Sequence, residues 1–171
     1  RTLYPDCIKN PTVHRLDMDT SGLMVVALNA ASQRHLSIQF QEREVGKKYI
    51  ALLDGHLEAD RGTIELAFRV DTDNRPFQMY DAVNGKLGIT DWEKIGVENG
   101  YTRVAFRPKT GRTHQLRVHA AHERGLGTPI VGDPFYGTAT DPVKMMLHAS
   151  ELSFRHPATE DPLAFKSTPP F

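Results

Sequence analysis

The spacing of apolar positions changes at Asn29. Before it, Gly22-Leu-Met-Val-Val-Ala-Leu28 is a continuous apolar run, and after it Leu36 and Phe40 fall four apart within residues 30–42. The first pattern predicts a strand and the second a helix, with Asn29 as its N-cap. Residues 48–53, 62–68, 89–95 and 101–106 are short β-prone runs divided by Gly, Asp and Asn clusters, and the last three alternate partly with period two. This spacing predicts strands joined as hairpins, so most of the sheet is expected to be antiparallel. A second helix is predicted over 113–123, capped by Thr110-Gly111 or Thr113 and stopped by Gly125 and Gly127. Last strands are expected at 145–149 and 152–156, with a short apolar stretch at 163–166. Strands outnumber helices and the helices interrupt them irregularly. The expected class is therefore α+β, a mixed, mostly antiparallel sheet with a few flanking helices, rather than a doubly wound α/β fold.

With 171 residues the chain is the size of one domain with one core, and residues 1–171 are read as a single unit. Lys plus Arg (21) balances Asp plus Glu (21), which excludes a uniformly basic coat, so a polyanion would have to be met by a local patch. Cys7 has no second cysteine to pair with, and the apolar runs are far shorter than a bilayer requires. The expectation is a soluble, cytoplasmic protein without a membrane partner.

Two segments concentrate polar chemistry. In His14-Arg-Leu-Asp-Met-Asp-Thr-Ser-Gly22 a carboxylate could simply cap a turn, as Asx side chains often do. If the segment is extended, however, Arg15 and Asp17 point to one face, where the cation favours the ionised acid; Asp19 is the better candidate for loop capping. The second segment is Arg107-Pro-Lys-Thr-Gly-Arg-Thr-His-Gln-Leu-Arg-Val-His119. No acid occurs from Asn99 to His122, whereas Arg103, Arg107, Lys109, Arg112 and Arg117 all do. This points to a local anion site, with Gly111 ahead of a helix start whose amides also favour an anion. The plain alternative is a basic helix face in solvent. Tyr49 follows Lys47-Lys48 and is either a core or rim residue or a base-stacking platform. His114, His119 and His122 lie close in sequence, but their spacing matches no metal motif, so a metal-dependent hydrolase is poorly supported and neither metal nor organic cofactor is expected.

Five blocks then combine. Val13-His-Arg-Leu-Asp-Met-Asp-Thr-Ser-Gly-Leu-Met-Val-Val-Ala27, Glu44-Val-Gly-Lys-Lys-Tyr-Ile-Ala51, Thr110-Gly-Arg-Thr-His-Gln-Leu-Arg-Val-His119, Thr128-Pro-Ile-Val-Gly-Asp-Pro-Phe-Tyr-Gly137 and Leu147-His-Ala-Ser-Glu-Leu-Ser-Phe-Arg-His-Pro157 resemble, in order and spacing, the RluA-type RNA pseudouridine synthases. The resemblance covers nearly the whole chain. It implies the pseudouridine synthase catalytic fold and isomerisation of uridine in ribosomal or transfer RNA, without cofactor. It also implies a strand pair carrying Lys-Pro-x-Gly ahead of the catalytic loop, a block this sequence does not contain, so an N-terminally incomplete catalytic domain is expected.

Carried over by position, the resemblance makes Asp17 the essential aspartate, Arg112 its ion-pair partner, and Tyr49 the ring packed on the target base and a candidate acceptor for the C5 proton. Arg15 would help hold a flipped-out nucleotide and Leu116 would line the uracil pocket. Lys48, Arg107, Lys109 and Arg117 are expected to meet the RNA, consistent with the charge that flanking phosphates require. A monomer is the simplest expectation. The rival is an RNA-binding module of the same fold without catalysis.

Overall fold

The computed structural model describes residues 4–137 and 144–171. In chain order these residues form β1 (Ser21–Gly22), α1 (Ala30–Gln41), β2 (Gly46–Leu53), β3 (Arg61–Val70), β4 (Gln78–Tyr80), β5 (Lys86–Glu98), β6 (Tyr101–Pro108), α2 (Gln115–Ala121), β7 (Leu147–Arg155) and β8 (Pro162–Lys166). One sheet takes all eight strands in the order β1-β7-β2-β6-β5-β3-β4, and β8 lies against β7. Only β1 runs parallel to its neighbour; every other pairing is antiparallel. The α+β class and the predominantly antiparallel sheet are as expected.

Central strand β2 is buried on both sides. Ala51 and Leu53 join Leu66, Phe68, Trp92, Phe106 and Leu147 in the main core, which α2 closes with Leu116, Val118 and Ala120, while Ile50 and Leu52 are buried too. Asn29 caps α1 as predicted, its side-chain oxygen accepting from the Ser32 amide at 2.8 Å. The start of α2 differs from expectation. His114 occupies the N-cap position in left-handed backbone (φ 56°) and makes no side-chain cap, so neither Thr113 nor Thr110-Gly111 serves. Buried Gln115 does the work from inside the helix. Its Oε1 accepts from Thr110 Oγ1 and the Arg112 amide, and its Nε2 donates to Ile89 O and Thr90 Oγ1, tying α2 to β5. The Arg112 amide, which the anion-site expectation left free, is therefore occupied.

The apolar run 22–28 is not a strand beyond Gly22. A strand exists by its pairing, and past the two β1 residues the run has a single bridge, Thr12 to Val26, so Met24, Val26 and Leu28 stay partly exposed. The expected strands at 145–149 and 152–156 are one, β7, and the apolar stretch at 163–166 is its edge partner β8. Strand β4, three residues long, carries too little pattern to be read in advance.

Close approach requires glycine at positions 22 and 88, among others. Gly22 (φ 109°) passes so near Ala149 that a Cβ would lie 2.3 Å from its carbonyl oxygen, which pins the end of the 14–22 loop to β7. At Gly88 a Cβ would lie 2.8 Å from His119 Nε2 and from Phe68. His119 itself is fully buried, with neither ring nitrogen hydrogen-bonded, and burial pushes its pKa down to about 4. Unfolding would let this ring take up a proton below its ordinary 6.5, whereas the folded chain binds it only near 4. Stability is thus unaffected above that window and falls as pH drops through it, by up to ~3 kcal/mol. Urea midpoints at pH 7 and pH 4.5 should show a smaller decline in His119→Leu than in the parent chain; equal declines would remove His119 as the cause.

Candidate active site

The first turn of the site is fixed by backbone. The Thr20 amide donates to the Asp17 carbonyl at 3.0 Å, so it is Asp17's main chain that closes the turn and its carboxylate remains available. His14 anchors the near side of the loop: its ring stacks on Phe40 of α1 at 4.5 Å, and its Nε2 accepts from the Val25 amide at 3.0 Å. Burial, and then the charge of Lys47, lower its pKa, which suits the neutral acceptor role. The expected extended face ends at Asp17, because the turn throws Met18 and Asp19 into solvent.

Asp17 opens on a cavity of about 450 Å³ walled by the 13–17 loop, the end of α1, the start of β2, and the 108–116 segment that joins β6 to α2. Arg15, Tyr49 and Leu116 line it, together with Arg43, Lys47, Lys109, Arg112 and His114. Asp17 is the one acid among these lining residues, against five Lys and Arg side chains. Tyr49 lies between this opening and the core, packed against the buried cluster. Burial, and then the charge of Asp17, push its phenol up to about 12, so it is protonated at neutral pH.

The cation facing Asp17 is Arg117, not Arg112. Arg117 Nη1 lies 3.8 Å from Asp17 Oδ2, and the same guanidinium grips Asp133 with a two-pronged contact of 2.8 and 2.5 Å. Phe135 and Tyr136 pack against its plane at 4.9 and 5.3 Å. Only 2% exposed, Arg117 cannot meet an RNA phosphate as expected from sequence; its guanidinium faces Asp17 and Asp133 instead. Its lost hydration opposes the charge, and the hydrogen bond and charge of Asp133, with that of Asp17, more than restore it, so its pKa is raised. Arg112 precedes α2, is exposed, and donates through Nε to Leu87 O at 3.3 Å. It lines the cavity wall without an acidic partner among the described residues.

The cationic window is less free than its sequence suggests. Strand β5 runs beside β6 and brings acids to it: Arg107 pairs with Glu93 at 3.3 Å, Lys109 with Asp91 at 2.9 Å, and Arg103 with Glu98. Lys48 points away from the cavity and pairs with Glu151 at 3.1 Å, because alternation along β2 sends Lys47 and Tyr49 to the other face. The unpaired cations around the opening, among the described residues, are Arg15, Arg43, Lys47 and Arg112. Lys47 is partly desolvated and faces the charge of Arg43, which lowers its pKa. Arg43 and Asp133 were not singled out from sequence. Asp133 sits in a recognisable block but sixteen residues from Arg117, and nothing local marks Arg43, a positive-φ residue just past α1. His114, His119 and His122 diverge to Tyr136, Phe68 and Tyr80.

Comparison with known proteins bears on the chain as a whole. A family profile described as RNA pseudouridylate synthase matches residues 9–122. The dual-specificity RNA pseudouridine synthase RluA of Pasteurella multocida (strain Pm70) is 45% identical over 163 residues, covering 92% of this chain and 73% of the relative. Its namesake in Escherichia coli (strain K12) is 42% identical over 165 residues, covering 94% and 74%. Among solved structures, Human RNA Pseudouridylate Synthase Domain Containing 1 superposes with a TM-score of 0.81 at 37% identity, over 95% of this chain and 70% of that one. With the profile spanning the Asp17 loop, Tyr49 and the start of α2, and with this identity along most of its length, the chain belongs to the RluA-type family of RNA pseudouridine synthases.

Proposed function

We propose that Asp17 is the essential group of the isomerisation, acting on a uridine flipped out of ribosomal or transfer RNA into the cavity beside Tyr49. The observation that carries this reading is the isolation of one acid within a wall of cations, held opposite a buried arginine that is itself fixed by Asp133. A carboxylate that is to act as nucleophile or base must stay ionised where water is excluded, and an adjacent guanidinium opposes the desolvation that would protonate it. In the reaction the N1–C1′ bond breaks and a C5–C1′ bond forms, while C5 gives up a proton and N1 ends with one. The change is atom-neutral and needs no oxidant.

A uridine inside a helix or tight loop reaches a cavity of this kind only by extrusion, and a flipped base needs a face to stack on. Tyr49 and Leu116 offer that face. The unpaired Arg15, Arg43, Lys47 and Arg112 at the opening suit the phosphates on either side of it. We place the enzyme in the cytoplasm, acting as a monomer.

The test is release of tritium from transcribed, unmodified ribosomal and transfer RNA carrying [5-³H]uridine, followed by mapping of the modified positions. Tritium released in step with pseudouridine at defined sites supports the reading and names the substrate. Tight RNA binding with neither signal would leave the binding-module alternative standing.

A further inference from the structure

His114 lines the cavity, yet no role follows for it from the ion pair or the stacking ring. Its backbone is left-handed, a conformation that His, like Asn, adopts more readily than most residues do. The ring is buried and held on two sides. It stacks on Phe135 at 5.6 Å, and its Nδ1 lies 2.9 Å from the Tyr136 hydroxyl.

The direction of that hydrogen bond can be read from its neighbour. The Gln78 amide, which can only donate, gives its hydrogen to the Tyr136 oxygen at 2.8 Å. Among the described residues His114 Nδ1 is the one other hydrogen-bond partner of that hydroxyl, so the phenolic hydrogen is directed at it, and burial, pushing this phenol up to about 12, keeps that hydrogen in place. Nδ1 is therefore the acceptor. Loss of hydration favours the neutral ring, with the charges of Arg117 and Arg15 acting the same way and those of Asp17 and Asp133 opposing. A neutral imidazole that accepts through Nδ1 carries its one proton on Nε2. Among the described residues no protein group hydrogen-bonds to that nitrogen.

We infer that His114 holds the target uracil by donating from Nε2–H to a carbonyl oxygen of the base, in both its starting and its turned position. The inference rests on the cavity being the uridine site. Replacing N1 by C5 at the ribose carbon amounts to a half-turn of the ring about the line through N3 and C6, and this half-turn carries the C2 carbonyl into the place of the C4 carbonyl. One fixed donor thus meets an oxygen before and after rotation. Cytosine would present an amino group in one of the two poses, leaving two donors opposed, so the same contact disfavours it.

The experiment is single-turnover pseudouridine formation on one mapped RNA carrying uridine, 2-thiouridine or 4-thiouridine at the target, since sulfur accepts a hydrogen bond more weakly than oxygen. The full chain is compared with His114→Asn, whose side chain suits the backbone but falls short of Nε2, and with Tyr136→Phe, which keeps the ring and removes the hydroxyl that sets the tautomer. The parent chain is expected to slow by ~10-fold on at least one thio-RNA, and His114→Asn to be slower by ~10-fold or more on uridine while showing no thio penalty. Tyr136→Phe should lose several-fold in rate. A folded His114→Asn with the parent's rate, or with the parent's thio penalty, overturns the inference. If His114→Asn fails to fold, parental turnover by Tyr136→Phe overturns it instead. No pseudouridine from the parent chain would sink the uridine-site reading itself, a distinct result.

Discussion

Asp17→Asn is expected to lose pseudouridine formation by ~10⁴-fold or more while binding RNA as tightly as the parent chain, or more tightly. The first half follows from chemistry, since an amide of the same shape is neither nucleophile nor base. The second follows from the charge around it. Asp17 is the single acid among the residues lining the cavity, and removing its charge leaves the unpaired Arg15, Arg43, Lys47 and Arg112 facing a polyanion with no acid beside them in the cavity wall. The fold should survive because Arg117 retains both contacts to Asp133. Loss of turnover together with loss of binding would instead point to a role for Asp17 in holding the loop.

The second large effect separates two arginines of one motif. Arg117→Ala leaves Asp133, whose side chain is fully buried, without its partner, and empties the slot between Phe135 and Tyr136. It should destabilise the chain by about 3–5 kcal/mol and abolish turnover. Arg117→Lys keeps the charge but not the two-pronged geometry, and a ~10²-fold fall in kcat with KM little changed is expected where it folds. Arg112→Ala should do neither. Exposed and unpaired, it is expected to weaken RNA binding several-fold, to reduce the salt dependence of log K by about one, and to leave stability and kcat near those of the parent. Guanidinium unfolding and binding titrations at several salt concentrations measure both. The reverse order, with Arg112→Ala removing catalysis and Arg117→Ala only binding, would reinstate Arg112 as the partner of Asp17.

That reversal shows where the sequence stops being legible. The block from Thr110 to His119 marks the right segment, but which arginine turns inward depends on where α2 begins. The helix starts at Gln115, not at Thr113, because His114 takes a left-handed turn and Gln115 staples the segment to β5. Arg117 then faces the core and Arg112 stays in the loop. The cationic window misled for a related reason: an acid-free stretch of chain is not an acid-free surface, and antiparallel β5 sets Asp91, Glu93 and Glu98 beside it. Strands β2, β3, β5 and β6 were readable because Gly, Asn and Asp punctuate them. The 22–28 run shows the limit of that signal, since composition favours a strand and only a neighbour can make one. Asp17, Tyr49, Arg15 and Leu116, singled out from motifs far apart in sequence, line one cavity. Asp133, His114 and Tyr136, which fix and complete the site, enter through contacts that no spacing encodes.

Everything proposed for the site turns on the Asp17 carboxylate starting the reaction. Its most direct test is tritium release from a mapped [5-³H]uridine RNA in a single turnover, with chain in excess so that affinity plays no part, by the parent protein and by Asp17→Asn. One tritium per target uridine is expected from the parent and none from the variant over the same time. Release by Asp17→Asn at a rate near the parent's would contradict it.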